Sequence, residues 1–228
     1  MKKAVRDTLS LLRFRLEKPG MLGMDNEHLI LGLIGTWIVG IGRYWDDPGA
    51  NLLQHLGLGS VIYIFVLAAL VWLIVKPFQI KHWTYFRVLT FISLTSFPAI
   101  FYAIPVEQFM SIAAANTVNV WFLAIVASWR FALLIYFMNR FTGLGTGNIF
   151  IITLLPVTAI IASLTALNLH RVVFQIMGGI REETAHDQSY FVLLVLTTFS
   201  VMAIGPLIIG YIVGIVRHRK KGQKSKQT

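Results

Sequence analysis

The stretch Thr117–Arg140, TVNVWFLAIVASWRFALLIYFMNR, is apolar enough to cross a bilayer and yet carries Arg130 well inside it. A membrane-spanning helix needs about 20 apolar residues, and this run has that length. No other charged residue lies deep in an apolar run of the chain. A central arginine costs roughly 2.5–3.5 kcal/mol on insertion scales, so it marks a functional residue by default. Asn119 falls near the same helical face as Arg130.

Three interpretations of Arg130 follow. The guanidinium snorkels to the inner membrane surface, pairs with another part of the protein, or binds a ligand. Arg130 lies about eight residues, or roughly 12 Å, from the inner end of its span, which is more than an arginine side chain covers. We therefore expect it to point into the bundle and meet Glu27, a carbonyl freed by a proline kink, or a lipid phosphate. The candidate functional residues within the membrane are Arg130, Asn119 and Glu27.

The composition is that of an integral membrane protein. Of 228 residues, 56% are hydrophobic, and the mean hydropathy is +0.70. The net charge of +10 sits in tails and short loops beside apolar runs, which indicates topology and contact with anionic lipid headgroups rather than nucleic acid. The chain has no cysteine, so a disulfide, an iron–sulfur cluster and a thiolate metal site are excluded.

The apolar runs predict an all-α, polytopic bundle of six transmembrane helices within residues 28–216. The first run is short and could be re-entrant, which would leave five spans. Residues 1–20 predict an amphipathic basic helix on the cytoplasmic membrane surface, with a disordered basic leader as the alternative. Residues 217–228 form a basic cytoplasmic tail. The predicted spans are His28–Trp45, Leu56–Val75, Val88–Pro105, Thr117–Arg140, Ile149–Leu167 and Ser189–Val216.

Small residues and prolines mark helix contacts and bends in these runs. Gly32, Thr36 and Gly40 recur every four residues, and Gly210 and Gly214 share that spacing, which allows close helix approach. Prolines inside three spans predict kinks, because each removes a helix hydrogen bond. The first of them favours a kinked packing helix, with a gating hinge as the alternative. These prolines are Pro98, Pro156 and Pro206.

Lysine and arginine counts predict that both termini are cytoplasmic, and a bacterial inner membrane is the expected location. With six spans, three cations lie on the outer side: Arg43, Arg171 and Arg181. Sixteen lie on the inner side: Lys2, Lys3, Arg6, Arg13, Arg15, Lys18, Lys76, Lys81, Arg87, Arg140, Arg217, Arg219, Lys220, Lys221, Lys224 and Lys226.

No motif in the chain predicts catalysis, a cofactor or a metal. All ten acidic residues lie outside the deep apolar runs, which argues against a carboxylate proton relay. Asp46 and Asp47 form a Pro/Gly turn, and Glu183 and His186 could share a helical face. Both pairs are more typical of solvated loops than of converging ligands.

Part of the chain resembles the Yip-type family of small multi-span membrane proteins. The likeness rests on RVLTFISLTSFPAIFYAIP from Arg87, on WFLAIVASWRFALLIYFMNRFTGLGTG from Trp121, and on a following span with a central proline. The resemblance implies a non-enzymatic protein, since the eukaryotic members are linked to Rab proteins and membrane traffic. It implies no site residue.

Three functions are compatible with the sequence. The first is a non-enzymatic membrane protein acting through contacts with lipids, a second copy or a membrane-protein partner, in membrane organisation or a trafficking-like role. The second is a small transporter or channel for an anionic or lipid substrate that uses Arg130. The third is an enzyme with outer-surface residues at its site: Asp46, Asp47, Glu182, Glu183 and His186.

Overall fold

The computed structural model describes residues 1–42, 52, 56–169 and 188–224, and this part of the chain is helical and contains no strand. Short 3₁₀ turns connect several of the helices, at Lys76–Phe78, Phe97–Ala103 and Val106–Gln108. The α-helices are α1 Lys2–Leu12, α2 Lys18–Leu22, α3 Asn26–Gly42, α4 Leu58–Val75, α5 Tyr85–Leu94, α6 Ile112–Thr142, α7 Thr146–Ala166 and α8 Gln188–Lys224.

The central α-helix of the bundle is α5. Every residue from Val88 to Leu94 is buried, and α3 and α4 pack along this helix. Phe91 of α5 stacks on Phe137 of α6 with ring centroids 4.0 Å apart. Thr84 starts the helix, since its side-chain oxygen accepts a hydrogen bond from the Arg87 N–H. A short, buried helix thus lies in the core of the protein.

Glycines allow α3 to approach its neighbours closely. A Cβ on Gly32 would lie 2.2 Å from the Ser93 hydroxyl oxygen, and one on Gly40 would lie 2.8 Å from the Gly57 carbonyl oxygen. Thr36 donates to the Gly32 carbonyl at 2.8 Å, so its hydroxyl is satisfied within α3. In α8, Gly210 lies beside Ile151 and Gly214 beside Asn148, both on α7.

The chain breaks at the first of the three prolines and continues as a helix through the other two. After α5 ends at Leu94, a 3₁₀ segment carries Pro98, and the two pieces are bent by 41°. Proline lacks an N–H and clashes with the carbonyl four residues earlier, which here belongs to Leu94. Pro156 and Pro206 lie inside the uninterrupted helices α7 and α8.

Among the described residues, four helices are long and apolar enough to cross a membrane, namely α4, α6, α7 and α8. The bent pair of α5 and its 3₁₀ continuation raises the number to five if it counts as one span. The first predicted span corresponds to α3, whose 17 residues extend only about 25 Å, less than the roughly 30 Å hydrocarbon core. The structure thus confirms a bundle of apolar helices, and the count of six stays a prediction.

Both terminal segments lie at one end of the bundle. The Trp83 ring, which follows α4, packs 5.8 Å from the Phe141 ring near the end of α6. Lys18 donates to the Phe141 carbonyl at 2.9 Å, and His218 of α8 packs 5.8 Å from Phe78. We call this end the basic end; it comprises residues 1–28, 76–87 and 211–224.

Candidate functional site

Arg130 lies half-buried on α6 and has no hydrogen-bond, ion-pair or ring partner among the residues that the structure describes. Glu27 forms an ion pair with the amino group of Met1 instead. The structure thus does not show the contact between Arg130 and Glu27, which was one of three expected partners beside a carbonyl freed by a proline kink and a lipid phosphate. A lipid phosphate remains a candidate partner for the guanidinium.

Asn119 does not share a site with Arg130, although both lie on α6. Eleven residues separate them, which corresponds to about 16 Å along the helix axis. Asn119 is buried and engaged in an interaction, so it contributes to packing inside the bundle. The three candidate intramembrane residues thus occupy three separate places.

The end of α1 lies beside Arg130. The indole N–H of Trp129, the preceding residue, donates to the Leu12 carbonyl at 3.1 Å, and Leu12 is the last residue of α1. Arg130 is therefore level with the end of a helix that exposes lysines and arginines.

Residues 12–18 run along the second half of α6. The Tyr136 hydroxyl donates to the Leu16 carbonyl at 2.8 Å, and the Phe14 ring packs edge-on at 5.7 Å against the Tyr136 ring. Farther along α6, Lys18 bonds the Phe141 carbonyl and places its ammonium 5.7 Å from the Phe141 ring centroid. These contacts fix the N-terminal segment to the bundle rather than leaving it free.

A buried histidine joins α1 to the start of α3. The side chain of His28 is fully buried between two carboxylates. Its Nδ1 lies 2.7 Å from Asp25 Oδ1, and its Nε2 lies 3.4 Å from Asp7 Oδ2. The hydrogen bond from His28 lowers the pKa of Asp25 below its usual value, because it stabilises the ionised carboxylate. The contact between His28 and Asp7 attaches α1 to the start of α3.

Three different faces divide the surface of α1. The first face packs against the protein and is buried: Ala4, Asp7, Thr8 and Leu11. The second face is apolar and exposed or half-exposed: Met1, Val5, Leu9 and Leu12. The third face carries exposed cations: Lys2, Lys3, Arg6 and Arg13. At 100° per residue these sets centre on separate directions around the helix, so an exposed apolar stripe lies beside an exposed basic one.

The sequence did not single out Asp7 or the role of His28. Asp25 and His28 have the i, i+3 spacing that allows a side-chain contact at a helix start, and this spacing is readable from the sequence. Asp7 is the lone acid among the cations of α1. A buried acid in that position indicates a contact with another part of the protein, because a carboxylate on a helix that contacts only lipid would lack a polar partner.

The outer-surface residues of the enzyme interpretation lie outside the described residues: Asp46, Asp47, Glu182, Glu183 and His186. Within the described ranges no group of three or more histidines, aspartates and glutamates is arranged to hold a metal ion.

Comparison with known proteins gives no relative: no family model matches the chain, and neither a curated protein nor a solved structure is significantly similar to it.

Proposed function

We propose that the protein is a non-enzymatic, multi-pass integral membrane protein that acts through contacts of its basic end with anionic lipids. The three faces of α1 carry the proposal. A helix with a docking face, an apolar face and a basic face lies parallel to a membrane surface, with the apolar stripe in lipid and the cations at the headgroups. The resemblance of residues 87–147 to a non-enzymatic membrane family supports the same class of function.

Membrane organisation, or a trafficking-like role with a second copy or a membrane-protein partner, is the corresponding cellular role. The exposure of α8 favours a partner helix, since only 11% of its most apolar 18 residues is buried within the chain. Lipid or a neighbouring helix covers the remaining apolar surface of α8.

The orientation that we propose places the basic end in the cytoplasm of a bacterial cell, at the inner membrane. The positive-inside rule supports it, because fourteen of the twenty lysines and arginines of the chain belong to this end. Reporter fusions after Lys226 and after Gly179 should behave oppositely. Identical behaviour of the two fusions contradicts this orientation.

The experiment for the lipid role measures hydrogen exchange of residues 2–12 in the full-length protein, reconstituted in nanodiscs. Anionic phosphatidylglycerol should slow the exchange of α1 relative to zwitterionic phosphatidylcholine, and added salt should reduce the difference. A triple variant of the basic face, K2Q/R6Q/R13Q, should lose the difference. A matched triple variant of the tail, K220Q/K221Q/K224Q, should keep it. Equal exchange in both lipids contradicts the proposal.

Anion or lipid transport through Arg130 is the second candidate function. The half-buried guanidinium without a partner among the described residues favours it, since a fixed positive charge of this kind attracts an anionic headgroup. Liposome flux of a fluorescent anionic lipid should then fall to background in R130M. Unchanged flux in R130M removes this candidate.

A further inference from the structure

A groove opens at the basic end between the end of α4, the turn after it and the last turns of α8. The groove is open to the outside and has a volume of about 680 Å³. It is lined by Lys76, Gln79 and Trp83 of the turn, by Arg219 of α8, and by Leu73 of α4. Two segments distant in sequence, residues 73–83 and the last turns of α8, thus build one concave surface.

Two cations line this groove, and each is held by a neighbour. The ammonium of Lys76 lies 4.5 Å from the centroid of the Trp72 ring, a cation–π distance. The guanidinium of Arg219 lies 3.5 Å from the Pro77 carbonyl oxygen, which places it over the turn. Lys76 and Arg219 are both exposed, so their remaining hydrogen-bond donors are free to bind an anion.

The turn that forms the wall is preformed. The Trp83 indole N–H donates to the Trp72 carbonyl at 3.1 Å, and the Gln79 backbone N–H donates to the Lys76 carbonyl at 3.0 Å. Gln79 has a left-handed backbone with φ of 53°, which a non-glycine residue adopts only where its surroundings impose it. A wall that needs no ordering on binding loses less free energy when a ligand is bound.

Among the residues that the structure describes, no carboxylate forms an ion pair with these cations. Residues 48–106 and 188–228 contain neither aspartate nor glutamate. Within the described part of the chain, every pairing of an acid with a basic group falls in residues 1–28. The groove therefore carries a positive charge that an external anion can balance.

The position of the groove at the end of an apolar helix favours an anionic lipid over a water-soluble anion. Lys76 is the first charged residue after the apolar helix α4, and two tryptophans flank it, as at a membrane–water boundary. Leu73 is 54% exposed at the groove, and Ile62 and Val66 continue an exposed apolar stripe along the same face of α4. A headgroup phosphate at the cations would direct an acyl chain along this stripe.

We infer that the groove binds one anionic glycerophospholipid, with its phosphate between Lys76 and Arg219 and an acyl chain against Leu73. The inference deepens the proposed function by naming a specific lipid site. It depends on the placement of the basic end at the membrane surface and not on the behaviour of α1, so each can fail while the other holds.

Native mass spectrometry of the full-length protein in neutral detergent tests the site. Phosphatidylglycerol should form a one-to-one adduct, whereas phosphatidylcholine and glycerol 3-phosphate at the same concentration should not. The variant K76Q/R219Q should bind phosphatidylglycerol about tenfold or more weakly, since each cation near a headgroup contributes about 1 kcal/mol. The variant K81Q/R217Q has the same net charge and removes neighbouring cations outside the groove, so it should bind like the wild type.

Three outcomes overturn the inference. Equal loss in both double variants indicates a general positive field, binding of glycerol 3-phosphate indicates a free-anion site, and equal binding of phosphatidylcholine indicates a site without charge selection. If K76Q/R219Q does not fold, hydrogen exchange of residues 76–83 in the wild-type protein tests the lipid site instead. Phosphatidylglycerol should slow that exchange relative to phosphatidylcholine, and the absence of a difference overturns the inference.

Discussion

His28 Nε2 lies 3.4 Å from Asp7 Oδ2 and thereby joins α1 to α3 through two buried side chains. The contact spans 21 residues of sequence and brings the N-terminal helix against the bundle. Because the other ring nitrogen bonds Asp25, the imidazole is held from both sides. The docking of α1 thus depends on one histidine.

Replacing His28 by alanine should destabilise the protein by about 1–3 kcal/mol, because Asp7 loses a buried polar partner. Hydrogen exchange of residues 2–12 should rise, and a chemical unfolding titration in mixed micelles should report the loss of stability. The control is His82→Asn, at an exposed position whose left-handed backbone asparagine tolerates. Unchanged exchange in α1 of H28A contradicts the role of the histidine in docking.

The pH dependence of α1 docking follows from Asp25. Its folded pKa is lowered by the His28 hydrogen bond, so the stabilisation is fully present above the ordinary value of 3.8. It is lost as the pH falls through the lowered folded pKa. Exchange at the α1–α3 contact, corrected for intrinsic rates, should therefore rise in acid, as the pH falls through the lowered pKa of Asp25. In Asp25→Asn this rise should be absent, and the same acid response in D25N would contradict the assignment.

Adding a methyl group at Gly32 should be costly, because its carbon would lie 2.2 Å from the Ser93 oxygen and 3.0 Å from the Leu94 backbone nitrogen. We expect Gly32→Ala to destabilise the bundle by about 1–3 kcal/mol through overpacking. Gly205→Ala is the matched control, since nothing lies within 4 Å of its added carbon. G205A should leave the stability unchanged or raise it by up to about 1 kcal/mol. Equal unfolding free energies in the two variants would refute the close contact.

Replacing Arg130 by methionine should leave insertion and folding intact. The change removes an insertion penalty of roughly 2.5–3.5 kcal/mol and breaks no hydrogen bond to a described residue. If the guanidinium holds a lipid phosphate, R130M should copurify with less phospholipid per protein. Arg130→Lys should restore only part of the copurified phospholipid, because an ammonium cannot reproduce the bidentate binding of a phosphate by a guanidinium. Equal phospholipid content in R130M and the wild type indicates a snorkelling side chain without a lipid role.

The apolar runs predicted the helices well because length and hydropathy suffice to recognise membrane-spanning segments. They did not predict which helix lies at the centre, since α5 becomes central only through its contacts with three other helices. Pro98 predicted a bend, and the complete break at residues 95–96 depends on how the two pieces pack. These features belong to tertiary structure.

The site was harder to anticipate than the fold. Residues 1–20 predicted an amphipathic helix, and the structure leaves Val5 and Leu9 exposed while Ala4, Thr8 and Leu11 pack against the bundle. Periodicity indicates that a stripe exists and does not say what covers it. The pairing of Glu27 with Met1 likewise depends on how the N-terminal segment folds back.

The depth of α1 in the membrane tests the central claim most directly. The chain has no cysteine, so single nitroxide labels at Leu9→Cys and Arg6→Cys report its apolar and basic faces without further changes. In vesicles containing phosphatidylglycerol, the label at position 9 should be more accessible to oxygen than to a water-soluble nickel reagent. The label at position 6 should show the reverse. Equal and high nickel accessibility at both positions would place α1 in water and contradict the account.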